Sequence, residues 1–170
     1  MAKIKITSDA ANKMIRDLSK EYEILLAKER NGATFISTID EKENDRPKFS
    51  LVENRDNMRK VNDKIIALRT AIHQFNVDYI LENGISIDVA LLNLKSLQEL
   101  KAQFGAYLEM VDQKRRHNSS TNSKAEYTFL NFDMKYVQKI YDSVCKDIVT
   151  LQTLINKANI VAEFEVELPD

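Results

Sequence analysis

Apolar residues recur at gaps of three and four positions in four segments of the chain, the spacing that places them on one face of an α-helix. The first segment predicts a helix over residues 8–30, with an N-cap at Thr7 or Ser8 and a stop at residues 31–32. A second helix is predicted to start at Ser50, because a serine followed three positions later by glutamate forms a capping box. Both predicted helices therefore begin where a side-chain oxygen can accept a backbone N–H group.

A third helix is predicted after Ser86, which follows a turn at residues 83–84, and a fourth after Asp133. The second helix carries Met58, Val61, Ile65, Leu68, Ile72 and Phe75, and the fourth carries Met134, Val137, Tyr141, Val144, Ile148, Leu151, Ile155 and Ala158. Their unbroken alternation of three and four is typical of a coiled-coil seam. The third helix carries Ala90, Leu94, Leu97, Leu100, Phe104, Tyr107, Leu108 and Val111. That stripe is wider than one neighbouring helix would cover.

Short alternating segments predict strands at both ends of the chain. Residues 3–6 alternate lysine with isoleucine, and residues 162–168 alternate acidic with apolar residues. Opposite charges across a strand pair stabilise it, so the two termini are predicted to pair, within a chain or between chains. Residues 33–39 and 126–132 are further candidate strands, and residues 40–47 are predicted to form an exposed loop.

These elements predict a mainly α fold, an antiparallel bundle of about four long helices with coiled-coil-like seams and a small peripheral β-sheet formed by the termini and inter-helix segments. The 3 Gly and 2 Pro among 170 residues favour long regular elements and a single helical domain over residues 1–170. A net charge of -1 argues against a specific nucleic-acid partner. The single cysteine allows no disulfide within the chain and favours a reducing, cytoplasmic location. The first residues, MAKIKITSDAANK, lack the apolar run of a signal peptide, and no membrane partner is expected.

The residue types that carry catalysis are sparse. The chain has His73, His117 and Cys145 but no HExxH or CxxC motif, and no Glu-x-x-His pair of a di-iron bundle. Its three scattered glycines form no phosphate-binding loop. Cys145 follows the seam residue Val144, which favours a packing role. We therefore expect no catalytic residues, no metal site and no cofactor, and we expect the protein not to be an enzyme.

One segment has a strongly uneven charge. Residues 113–125, QKRRHNSSTNSKA, contain several cationic side chains and no acid. The candidate ligand-binding residues in this segment are Lys114, Arg115, Arg116, His117 and Lys124. Arginine and lysine among hydroxyl and amide groups form a donor set that binds phosphate or carboxylate. The alternative is that the cations complement the dipole of the preceding helix and the rest is a linker.

Four segments occur in a characteristic order: Ile-His-Gln-Phe-Asn at 72–76, Gly-Ile-Ser at 84–86, the basic segment before Glu126-Tyr127, and Ile-Asn-Lys-Ala-Asn at 155–159. In this order they resemble the septicolysin-like family of small bacterial helical proteins. The resemblance implies a mainly helical protein and draws attention to Asn76 and Asn159. Because asparagine at a helix end can cap carbonyl groups, we expect both to be structural caps.

Two functions are compatible with these observations. The first is a non-enzymatic, self-associating helical protein that acts by binding or assembly, because long thin bundles expose much surface and the third helix has a wide apolar stripe. The alternative is an oligomeric binding protein that captures a small anionic ligand, such as a nucleotide, through residues 113–125.

Overall fold

The computed structural model describes residues 2–42, 46–116 and 126–169. It is 66% helical, with four helices and two small antiparallel sheets, so the predicted mainly α fold is confirmed. The elements in chain order are β1 (Ala2–Thr7), α1 (Ser8–Gly32), α2 (Leu51–Asp78), α3 (Ile87–Leu108), β2 (Lys114–Arg115), β3 (Tyr127–Thr128), α4 (Met134–Val161) and β4 (Glu163–Leu168). No helix in the described ranges is both long enough and apolar enough to cross a membrane.

The chain forms two compact units, and a single domain stays a prediction. The first unit comprises Met1–Tyr79 together with Lys157–Asp170, and the second comprises Ile80–Asn156. Helix α4 contributes residues to both units.

Side-chain caps fix the starts of all four helices. In each case the side-chain oxygen of the residue before the helix accepts a hydrogen bond from a backbone N–H group in the first turn. The pairs, acceptor first, are Thr7 and Ala10, Ser50 and Glu53, Ser86 and Val89, and Asp133 and Lys135. Each bond satisfies an N–H group that the first turn of a helix leaves without a helical acceptor. The predicted helix starts are confirmed.

In the first unit, α1 and α2 pack antiparallel. Near the start of α2, the Asn54 amide donates a 3.0 Å hydrogen bond to the carbonyl oxygen of Leu25, near the end of α1. At the other end of the pair, the buried side chains form a core with β4, made of Ala11, Ile15, Val61, Ile65, Leu68 and Val166. Leu68 is fully buried, as expected for a position at the centre of the predicted seam.

The two terminal segments pair within one chain, which confirms the predicted sheet, and the two strands run antiparallel. β1 and β4 place Lys3 opposite Glu167, and Lys3 Nζ lies 2.9 Å from Glu167 Oε1. The inward residues join the core, and the ring of Phe164 stacks on that of Phe75 with 4.8 Å between centroids. Because this sheet has two strands among the described residues, β1 and β4 each keep one edge without a strand partner.

In the second unit, α3 and α4 also run antiparallel. Gly105 lies against the ring of Tyr141, whereas Leu97, nearer the start of α3, lines a groove with Leu151, nearer the end of α4. The predicted seam of α4 is largely buried, at Val137, Val144, Ile148, Leu151, Ile155 and Ala158. The stripe of α3 is less covered, since only Ile87 and Ala90 of that helix are buried.

Three sequence predictions need correction. Residues 33–39 form no strand, because high β-propensity produces a strand only where another strand edge is in reach. The candidate strand at 126–132 is reduced to Tyr127–Thr128. Val111 lies beyond the end of α3 and is 70% exposed, so it is not part of the helical stripe.

Candidate functional site

The predicted basic loop begins as a strand. Lys114 and Arg115 form β2 and pair antiparallel with Thr128 and Tyr127 of β3. The pairing continues beyond the strands, because the Arg116 N–H donates a 2.9 Å hydrogen bond to the carbonyl oxygen of Glu126. We call residues 114–116 and 126–128 the basic ribbon.

The residues just before β2 hold the ribbon in place. The carboxylate of Asp112 accepts a 3.0 Å hydrogen bond from the backbone N–H of Leu130. Gln113 follows with a φ of 59°, a left-handed conformation that is uncommon for residues other than glycine. The chain therefore turns sharply between α3 and the ribbon.

The pairing register assigns side chains to the two faces of the basic ribbon. Directly opposite residues share a face, so Arg115 lies on the same face as Tyr127. The Tyr127 and Phe129 ring centroids are 6.4 Å apart, and both side chains are about half exposed. The basic segment contains no aromatic residue of its own, but the opposite strand supplies one.

The structure brings together three of the five predicted ligand-binding residues. Lys114, Arg115 and Arg116 are exposed, and within the described ranges none of them forms an ion pair. His117 and Lys124 lie outside the described residues. The described part of the segment is thus a row of three cations without acidic neighbours in ion-pair contact.

The two asparagines predicted as caps lie inside their helices. Asn76 precedes the end of α2 at Asp78, and the C-cap is Tyr79, whose N–H donates to the carbonyl oxygen of Phe75. Asn159 lies two residues before the end of α4. Both helices continue for two residues beyond the asparagine, so Asn76 and Asn159 are residues of the last helical turn. The cap prediction is wrong for Asn76, because Tyr79 is the C-cap of α2.

A groove between α3 and α4 was not predicted. Its volume is about 470 Å³, within the range of small-molecule sites. The lining residues are Asn83, Ile85, Asn93, Ser96, Leu97, Asp147, Thr150, Leu151 and Leu154. The groove combines aliphatic side chains with neutral amides and hydroxyls, and Asp147 is the only charged residue among them.

Exposed apolar residues of α3 follow the same side of the helix as the groove. Val89, Leu92 and Leu100 are 42%, 62% and 39% exposed, and they stand at three- and four-residue spacing with the groove residue Ser96. We call the groove together with these three residues the α3–α4 face. The row on α4 with the same spacing, at Tyr136, Ile140, Ser143, Asp147, Thr150 and Leu154, mixes apolar, polar and charged residues, so the sequence carries no clear signal for the groove.

The ranges that the structure describes contain no group of three or more histidine, cysteine or acidic side chains placed to hold a metal ion. Cys145 is a half-buried free thiol, and His73 is an exposed residue of α2.

Comparisons of the chain with protein-family models, with curated proteins and with solved structures found no match. The two surfaces that stand out are therefore interpreted from their own chemistry: the basic ribbon with its three exposed cations, and the α3–α4 face with its exposed leucines.

Proposed function

We propose that the protein is a non-enzymatic, self-associating helical protein, and that the α3–α4 face binds the same face of a second copy. The observation that supports this proposal is the exposure of Val89, Leu92 and Leu100 beside an open groove. Exposed apolar side chains beside a groove are typical of a surface that is covered in the functional assembly.

The dimensions of the face suit a dimer. Helix α3 has 22 residues, a length of about 33 Å at 1.5 Å per residue. Two helices side by side are roughly 20 Å wide, which gives about 650 Å² on each partner. This is close to the roughly 800 Å² per partner of a standard stable interface.

The polar residues of the face are also compatible with a two-fold contact. Asn93, Ser96 and Thr150 are neutral and can both donate and accept hydrogen bonds, so they suit an isologous interface in which each contact occurs twice. Asp147 is charged, so its carboxylate needs a cationic partner if the contact buries it. If two α4 helices cross antiparallel near Ser143, Lys139 of one copy comes opposite Asp147 of the other, because both lie four residues from the crossing point.

The proposal predicts that Leu92→Glu weakens self-association at least about tenfold, since the variant buries a charge in the interface. Sedimentation velocity and native mass spectrometry across micromolar concentrations would measure the shift to lower mass. Val149→Glu is the matched control, because Val149 is 61% exposed against 62% for Leu92 and lies on the other side of α4 from the groove. A wild-type protein that stays monomeric, or a Leu92→Glu variant with unchanged mass, would contradict the proposal.

Two further parts of the proposal depend on the sequence. A cytoplasmic location is supported by the single cysteine. Membership of the septicolysin-like family is supported by the segments at 72–76, 84–86 and 155–159.

Anion binding by the basic ribbon is the second candidate function. Lys114, Arg115 and Arg116 are adjacent, exposed and outside any ion pair in the described ranges, and Arg115 shares its face with Tyr127. Guanidinium groups pair with phosphate oxygens, and an exposed ring can stack on a nucleotide base. A nucleotide is therefore the small anion that we propose for this surface.

For the basic ribbon we expect Arg115→Gln/Arg116→Gln to reduce ATP affinity at least about tenfold in isothermal titration calorimetry, with binding that weakens as salt rises. The matched control is Lys101→Gln/Lys146→Gln, which removes the same charge from exposed helix positions. An equal loss of ATP affinity in both double variants would indicate that binding depends on the net charge of the protein and not on the basic ribbon. Unchanged ATP affinity in the arginine variant would exclude this site.

A further inference from the structure

Residues 33–39, ATFISTI, form a strand-like segment without a sheet. The segment is rich in β-branched residues, yet it has no strand pairing in the structure. Ile36 is 101% exposed and Ile39 is 95% exposed, more than any other large apolar residue described. An uncharged run with two fully exposed isoleucines is the kind of segment that pairs with a free strand edge.

The first unit offers such an edge at β4. A groove of about 620 Å³ is lined by four successive residues of this strand, Phe164 to Glu167. Because successive strand residues point to opposite faces, a groove that contacts all four runs along the edge of the strand. Its other wall is α2, where the lining residues are Ala67, Thr70, Ala71, Gln74, Phe75 and Asp78. Most of these side chains are small, which leaves room for an added strand.

The lengths of the two segments match. β4 has 6 residues, or about 20 Å at 3.3 Å per residue. The uncharged run from residue 33 to Ile39 is about one residue longer, and the charged residues from Asp40 onward end it.

The chain cannot make this contact with itself. The β1–β4 sheet adjoins the start of α1, because β1 ends at Thr7 and α1 begins at Ser8. Residues 33–39 follow the other end of α1, which has 25 residues and is about 37 Å long. Seven extended residues reach at most about 25 Å. If residues 33–39 pair with β4, they must therefore belong to another molecule.

We propose that residues 33–39 of one copy add as a third strand to the free edge of β4 in a second copy. Donor segment and acceptor edge lie at opposite ends of the α1–α2 pair, so two copies side by side and antiparallel each give one strand and receive one. The result is a closed two-fold contact. This inference rests on the proposed self-association but uses the first unit, whereas the α3–α4 face belongs to the second.

A cross-linking experiment tests the proximity directly. Two single-cysteine variants, Ile36→Cys/Cys145→Ser and Glu165→Cys/Cys145→Ser, are mixed and oxidised. We expect a disulfide-linked heterodimer, because residue 36 of one copy would lie beside β4 of the other. Replacing the first variant by Ile24→Cys/Cys145→Ser, which places an exposed thiol within α1, is the matched control. Equal heterodimer yields with both thiols would overturn the proposal.

A second measurement follows the backbone. Ile36→Pro removes a strand N–H donor, so we expect deuterium uptake at residues 163–168 to accelerate about tenfold in the oligomer. Lys48→Pro, in the same connection but outside the segment, is the control and should leave uptake unchanged. If the wild type is oligomeric and Ile36→Pro alters neither mass nor uptake, strand addition is wrong while self-association stands. If the wild type is monomeric, both proposals fail.

Discussion

Gly84 is the residue whose backbone conformation most restricts its identity. Its φ is +84°, in a turn closed by hydrogen bonds between Leu81 and Ile85 and between Gly84 and Leu81. A side chain there would meet no atom within 4 Å, so the cost of a substitution is conformational and not steric. For a residue with a Cβ, a left-handed backbone conformation is less favourable by roughly 1–2 kcal/mol of conformational free energy.

Gly84→Ala is therefore expected to lower the free energy of unfolding by about 1–2 kcal/mol. Gly105→Ala is the matched control with the opposite sign. It lies within α3, where a Cβ would sit 3.6 Å from Tyr141 Cε2, an ordinary contact, and alanine is favoured over glycine in a helix by about 1 kcal/mol. Urea denaturation followed by circular dichroism would measure both, and equal destabilisation by the two variants would contradict this account.

Asn54 is a polar residue whose burial could not be predicted from its residue type. It is 3% exposed and continues the seam of α2 one step before Met58, with its amide bonded to the carbonyl oxygen of Leu25. In the sequence, a polar residue near the start of a helix predicts an exposed position. Its burial depends on a carbonyl group that belongs to another helix.

At the scale of elements, an exposed ion pair connects β1 to β4. The hydrogen bond and charge of Glu167 raise the pKa of Lys3, and the same interaction with Lys3 lowers the pKa of Glu167. The carboxylate stabilises the sheet above its ordinary pKa of 4.5 and loses this effect as pH falls through the lowered value. The ammonium stabilises it below 10.5 and loses this effect as pH rises through the raised value.

We expect Glu167→Gln to lower the melting temperature slightly at neutral pH, and the difference from wild type to vanish below the lowered pKa of Glu167 and in high salt. Glu163→Gln is the control, since Glu163 faces Thr7 across the sheet. Thermal melts at several pH values would compare the two. A deficit for Glu167→Gln that persists in strong acid would show that the carboxylate charge is not responsible.

The elements that could be predicted are those with a local signal. Helix starts follow from single capping residues, and the α4 seam follows from spacing within one segment. The pairing of β1 with β4 was predictable because lysine alternates with isoleucine in β1 and glutamate alternates with apolar residues in β4. Residues 33–39 carry an equally clear strand pattern, but a strand also requires a partner edge within reach, and the sequence does not show distance.

The candidate sites were less predictable for the same reason. Lys114, Arg115 and Arg116 stand out because three cations are adjacent in the sequence, but their pairing with residues 126–128 depends on a register between separate segments. The α3–α4 groove needs two helices to exist at all, and its lining residues are a mixture of types with no distinctive order in either helix.

At the scale of the whole molecule, the two proposed contacts use different units. The α3–α4 face lies in Ile80–Asn156, and strand addition involves the unit that contains β4. A protomer with two separate isologous contacts assembles beyond a dimer, into a closed ring of even number or an open chain. A variant that removes one contact would then leave dimers held by the other.

The pairing of β1 with β4 also sets the order in which a nascent chain can complete its fold. β1 leaves the ribosome before its partner β4, which follows about 160 residues later, roughly 8–30 s at ordinary rates of synthesis. During that interval Ile4 and Ile6 lack the strand that places them in the core. Helices α1 and α2 can pack early, since they are adjacent in the chain, whereas the sheet that closes their core is among the last parts to form. Ribosome pausing before residue 163 would therefore prolong a state with an open core and an unpaired first strand.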